Sequence, residues 1–149
     1  MRGMTARCVL HCLVINNLEK NMSNYWVVGA MFGGQDDAYE SFIRGGYWFC
    51  GYSEQQQPAQ FELVNRIEIG DRIAIKRMLG QGATQIEIRA IGIVKETEEI
   101  QLVDGKQRRI YVNWVIPELH RNVPAKGAFA TIHGPFPADE EWTRQVFQL

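Results

Sequence analysis

The chain has no excess of basic charge: across 149 residues, 16 Lys and Arg stand against 17 Asp and Glu, for a formal net charge of -1. That excludes duplex binding by bulk charge alone and leaves only a local basic groove open. Cysteine is scarce. Cys8, Cys12 and Cys50 are odd in number and two of them sit near the N-terminus, which excludes a disulfide framework and points to a reducing, cytoplasmic compartment. No apolar run approaches the about 18 residues a membrane span needs, so no membrane partner is expected. A Gly-x-x-x-x-Gly-Lys-Ser/Thr loop is missing, which excludes a nucleotide-hydrolysing motor. So are a Gly-x-Ser-x-Gly elbow and a His-x-Glu with paired Cys-x-x-Cys, which excludes those hydrolases and a zinc deaminase. Repeats and long low-complexity tracts are absent too.

What remains is enough for one domain with a real core, 46% hydrophobic by composition. Residues 1–21 are read as an N-terminal extension, disordered or encoded from an upstream start, with the folded domain over 22–149. A secretory leader is the alternative, because Arg2 and Arg7 precede an apolar run; His11 interrupts that run and no small-x-small cleavage site follows. Cys8, His11 and Cys12 have the makings of half a metal clasp, but no second ligand pair follows to close a four-ligand site. No metal and no cofactor are therefore expected.

The richest stretch lies between Tyr25 and Tyr52. Tyr25, Trp26, Val27 and Val28 run into Gly29 and Ala30, which predicts a buried strand over 25–30. Gly33 and Gly34 predict a turn, and Asp36 or Asp37 a helix start, where carboxylates accept orphan amide hydrogens. Tyr39, Phe42 and Ile43 recur at helical spacing, and Gly45-Gly46 stops the helix. Beyond a polar loop over 53–58, a short helix is expected over 60–65. A Gly70-Asp71 turn then leads into an alternating strand ending near Lys76. A second alternating strand is predicted over 85–96 with a bulge or close approach at Gly92, a hairpin turn at Asp104-Gly105, and a third strand over 109–115 stopped by Pro117. Residues 131–135 read as a turn-rich connection, and Asp139 opens a last helix with Trp142, Val146 and Phe147 inward. The sum is an α+β domain: a small curved mixed sheet or pseudo-barrel with flanking helices.

These motifs, in this order and spacing over about residues 24–116, resemble EVE-type domains. Such domains stand at the N-termini of McrB-type modification-dependent restriction proteins and are similar, more distantly, to YTH readers of N6-methyladenine. The residues that carry the resemblance are Tyr25 to Asp37, Phe42 to Trp48, Ile69 to Lys76, Ile91 to Val94 and Val112 to Trp114. The resemblance implies a PUA-like fold, a curved β pseudo-barrel with flanking helices. It also implies a non-catalytic reader that takes a modified base of DNA or RNA into an aromatic pocket, with a separate ATPase or nuclease as a further partner. Trp48 then matches one cage wall, Asp36 and Asp37 the polar positions at the base edge, Ala30 and Met31 the backbone that approaches the base, and Trp114 a structural aromatic. One departure stands out: residues 96–109, where the second cage Trp would lie, hold no aromatic. The second wall falls to Tyr47, Tyr52, Leu102 or Met78.

Chemistry fits those roles. An indole face stacks on a base for about 1–3 kcal/mol, and a carboxylate accepts from the exocyclic amine of adenine or cytosine. Arg44, Lys76 and Arg77 are candidates for the nucleic-acid backbone. Blander readings stand beside these: Trp26 as core instead of pocket, Asp36 and Asp37 as caps, Lys76 and Arg77 as a solvated strand end. Two rival functions stay open. One is a small hydrolase or nuclease built around Cys50 or His133; the other is an interaction domain whose aromatics bury a protein partner.

Overall fold

A computed structural model of the chain describes residues 23–33 and 35–149. The readings of residues 1–21, including the Cys8, His11 and Cys12 clasp, and of Gly34 lie outside them. In chain order the elements are β1 (Tyr25–Gly29), β2 (Met31–Phe32), β3 (Asp36–Asp37), α1 (Tyr39–Gly45), β4 (Tyr47–Phe49) and α2 (Pro58–Asn65). Then come β5 (Arg72–Met78), β6 (Gln85–Leu102), β7 (Gly105–Ile116), β8 (Arg121–Pro124), β9 (Ile132–Phe136) and α3 (Glu141–Phe147).

The fold is mixed α+β. Seven strands form one sheet in the order β4-β7-β6-β5-β1-β9, with β8 also paired to β6. Its ends, β4 and β9, do not meet, so the sheet does not close into a barrel. β1 and β5 run parallel, Tyr25 opposite Arg72 through Gly29 opposite Lys76; the other pairs in this sheet are antiparallel. β6 is the spine. Register shifts at Ile91/Gly92 and Val94/Glu96 bend it against β7, as bulges do. Gly92 makes the close approach possible: a Cβ there would lie 2.3 Å from Val112 Cγ1 and 2.8 Å from the Asn113 carbonyl.

Both faces of the sheet are covered. One core holds Trp26, Trp48, Ile73 and Ile75 with Phe42 of α1 and Val64 of α2. The other holds Tyr25, Val27, Ala74, Ile86 and Ile88 with Trp142 and Val146 of α3. This is why β5 does not alternate as expected: Ile73, Ala74, Ile75 and Lys76 are all buried. A buried carboxylate locks the entry to β1 and β5. Asp71 accepts from the Trp26 indole N–H at 2.9 Å, the Glu68 amide at 3.0 Å and the Asn24 amide at 3.1 Å.

Local differences from expectation have clear causes. Asp36 and Asp37 pair with Met31 and Phe32 as a two-residue ribbon, and α1 starts at Tyr39. Asp37 still serves the helix, since its Oδ1 accepts the Tyr39 amide at 3.0 Å. Gly46 ends the helix as expected, in the left-handed region at φ 69 with its amide on the Phe42 carbonyl. Residues 132–136 are a strand, not a connection, because β1 offers them an antiparallel edge.

Candidate functional site

At the C-terminal ends of the parallel pair β1 and β5 lies a cleft of about 350 Å³, within the range of small-ligand sites. Three segments wall it: 29–31 after β1, 76–78 at the end of β5, and 129–131 before β9. The Gly29 peptide is fixed from both sides. Its amide donates to the Thr131 carbonyl at 2.7 Å, and its carbonyl accepts the Trp48 indole N–H at 2.9 Å. The Ala30 carbonyl accepts the Ala38 amide at 2.8 Å, which ties the cleft wall to the start of α1.

Three apolar side chains give the cleft its body. Phe129 is 64% exposed, and Met31 and Met78 are also exposed. Methionine adapts its shape to a ligand, and an exposed ring offers a stacking face. Polar chemistry comes from Asp37, Lys76, Arg77 and Arg89. Arg89 donates to Asp37 Oδ2 at 3.0 Å and lies 3.8 Å over the Tyr39 ring. Arg77 pairs with Glu87 at 3.1 Å. Lys76 is only 5% exposed and donates to the Ala128 carbonyl. Burial pulls its ammonium down to about 8.

The expected site residues divide cleanly. Ala30, Met31, Asp37, Lys76 and Arg77 line the cleft. Trp48 does not: it is 0% exposed in the core, and its contribution is the hydrogen bond that holds Gly29. Its position explains this, since successive strand residues face opposite ways: Trp48 enters the core fully, while Tyr47 and Phe49 on the other side stay half-buried against Phe42 of α1. Trp26 is likewise 0% exposed, with its indole on Asp71. Trp114 donates to the Phe42 carbonyl at 2.9 Å. Tyr47 lies outside the cleft lining, stacked on Phe49 with Arg109 4.9 Å over its ring. Tyr52 borders a small recess that shares Met31 and Thr131 with the cleft. Leu102 faces a separate recess. Asp36 is exposed outside the lining, and Arg44 pairs with Glu40 at 3.7 Å on the exposed side of α1.

Sequence reasoning missed Phe129 and Arg89. Phe129 had a signal: a lone large ring among Gly127, Ala128 and Ala130, in a stretch too short for a core element. Arg89 lies within the alternating stretch expected over 85–96, but its pairing with Asp37 is long-range.

The rival nucleophile is poorly disposed. Cys50 is buried, which pushes its thiol up and away from the reactive thiolate, and it hydrogen-bonds to the Tyr52 backbone. The His133 Nε2 accepts the Ala130 amide at 2.9 Å. Among the described residues no group of three or more His, Cys, Asp or Glu could hold a metal ion. Among them, too, no helix is long and apolar enough to cross a membrane.

Burial first, and then the Lys76 charge, hold the His133 imidazole below its ordinary value of 6.5. The unfolded chain therefore binds more protons in mild acid, and this contribution to stability is complete above pH 6.5 and lost as pH falls through the lowered value. Urea unfolding of wild type should show that loss, and His133→Gln, which keeps an acceptor for Ala130, should show a flatter acid limb. Identical slopes would remove His133 from the account.

No family model matches the chain, and no curated protein matches it.

Proposed function

We propose that the chain is a non-catalytic nucleic-acid reader that accepts one modified base in the cleft between β1 and β5, on an open PUA-like sheet. The observation that carries this reading is the make-up of the cleft. An exposed ring and two methionines flank a carboxylate and three cations, in a volume suited to one base. Phe129 takes the stacking role first given to Trp48. Met31 and Met78 surround the ring edge where a methyl or similar group would sit, at about 0.8 kcal/mol per buried carbon. Asp37 keeps lone pairs for an exocyclic amine beyond those that Tyr39 and Arg89 occupy. Arg77 and Arg89 stand beside the cleft for phosphates. The two register shifts of β6 against β7 are the feature that supports a PUA-like arrangement, and the flanking helices fit it. A separate ATPase or nuclease would act on what this chain marks.

The test is a binding panel of DNA and RNA oligonucleotides carrying methylated cytosine, methylated adenine or bulkier adducts, beside their unmodified parents. We expect a modified member to bind more tightly than its parent. Phe129→Ala should weaken that binding roughly tenfold or more, with the fold unchanged, since base–aromatic stacking contributes about 1–3 kcal/mol. A panel in which nothing binds, or in which Phe129→Ala changes nothing, would overturn the reading.

A further inference from the structure

The cations of the cleft are not equivalent. Arg77 and Arg89 each face a carboxylate, Glu87 at 3.1 Å and Asp37 at 3.0 Å. Lys76 is the most buried of the three, 5% exposed, and among the described residues none of the ion pairs includes it. Its ammonium donates to the Ala128 carbonyl and lies 3.9 Å from the Met78 sulfur. An ammonium has three N–H groups, and a thioether is a weak acceptor. Among the described residues the group is therefore a buried charge with no counter-ion, beside an open cleft. Such a charge is strongly unfavourable unless an anion meets it.

We propose that the cleft seats an oxyanion against Lys76, a carboxylate or a phosphate carried on the part of the ligand that enters. This differs from a backbone phosphate resting on an outer surface. The ligand then has an apolar body, held by Phe129, Met31 and Met78, and an anionic end beside Lys76. Arg77 and Arg89, held in place by their own carboxylates, add positive potential without competing for the seat. The inference rests on the proposed function only in taking this cleft as the ligand site; it applies equally to a small molecule.

Two measurements test it. Protein labelled with [methyl-13C]methionine is titrated with inorganic phosphate or with acetate, chloride being withdrawn to hold ionic strength. Thermal unfolding is followed in the same series for wild type and Lys76→Met. We expect one anion to shift the Met78 methyl resonance to saturation and to stabilise wild type in step, with the increment lost in Lys76→Met. Saturation by phosphate assigns a phosphate ester, and by acetate a carboxylate. Failure of both anions to saturate the Met78 signal would overturn the seat, as would equal stabilisation of both proteins. The outcomes separate from those of the nucleic-acid reading. An intact anion seat with no oligonucleotide binding would sink that reading alone. Modified-oligonucleotide binding indifferent to Lys76→Met would sink this one alone.

Discussion

Trp48→Ala should destabilise the domain by about 3–5 kcal/mol, the usual cost of emptying a large aromatic site in a core. For a chain of this size that removes much or all of the folding free energy. Two effects combine. The indole is fully enclosed in the core that also holds Val28, Phe42, Ile110 and Val112, whose packing would lose volume. Its N–H also satisfies the Gly29 carbonyl, which would be left unpaired behind the cleft wall. Trp48→Phe separates the two, since it keeps most of the volume and loses only the donor. Its cost should be about 1–2 kcal/mol. Urea unfolding of both variants is the check. A Trp48→Ala protein as stable as wild type would mean that the ring is not packed as described. Lost ligand binding in Trp48→Ala would report a damaged frame and not a missing stacking face, so Phe129→Ala is the informative change for the site.

Lys76→Met should have the opposite sign. Met nearly reproduces the stem of the side chain and removes a buried charge, so the variant should be more stable than wild type. With the folded value near 8 and the unfolded value 10.5, the gain is on the order of 3 kcal/mol at neutral pH. The direction with pH follows from proton counting. Between about 8 and 10.5 the unfolded chain holds more protons than the folded one, so the burden of the ammonium is full below that window and fades across it. The stability difference between the variant and wild type should therefore shrink as pH rises from 8 towards 10.5. Comparing the two proteins at each pH cancels the tyrosines, which titrate in the same range. A difference that stays constant, or a variant less stable than wild type, would show that the ammonium is better solvated than its burial indicates.

Much of the framework was readable from local chemistry. The run from Tyr25 to Gly29, the stop at Gly46, the Asp104-Gly105 hairpin and the apolar side of the last helix each rest on a signal within a few residues, and the structure has all four. β8 and β9 were not readable, because what makes them strands is a partner far along the chain. β8 carries Pro124 and Arg121 and holds its place by pairing with the far end of β6. The site divides in the same way. Ala30, Met31 and Asp37 came from the resemblance, and Lys76 and Arg77 from charge at a strand end; all five line the cleft. Trp48 was misplaced because strand alternation says that Trp48 and Tyr47 face opposite ways, but not which of them the core encloses; Trp26 as core, Trp114 as a structural aromatic and Trp142 as inward-facing agree with the structure. All four indoles turned out to donate inward, to Asp71, Gly29, Phe42 and Pro124.

β1 lies between β5 and β9, and the Gly29 amide is held by Thr131, about a hundred positions downstream. The cleft is thus closed by a segment that leaves the ribosome well after the first strand. Until residues 129–136 emerge, the first strand has only one neighbour and Lys76 has no Ala128 carbonyl to meet. A nascent chain can form the hairpin of β6 and β7 from local contacts, whereas the cleft wall waits for the long-range contact of Gly29 with Thr131. Translation itself therefore delays completion of the cleft until residues 129–131 have emerged.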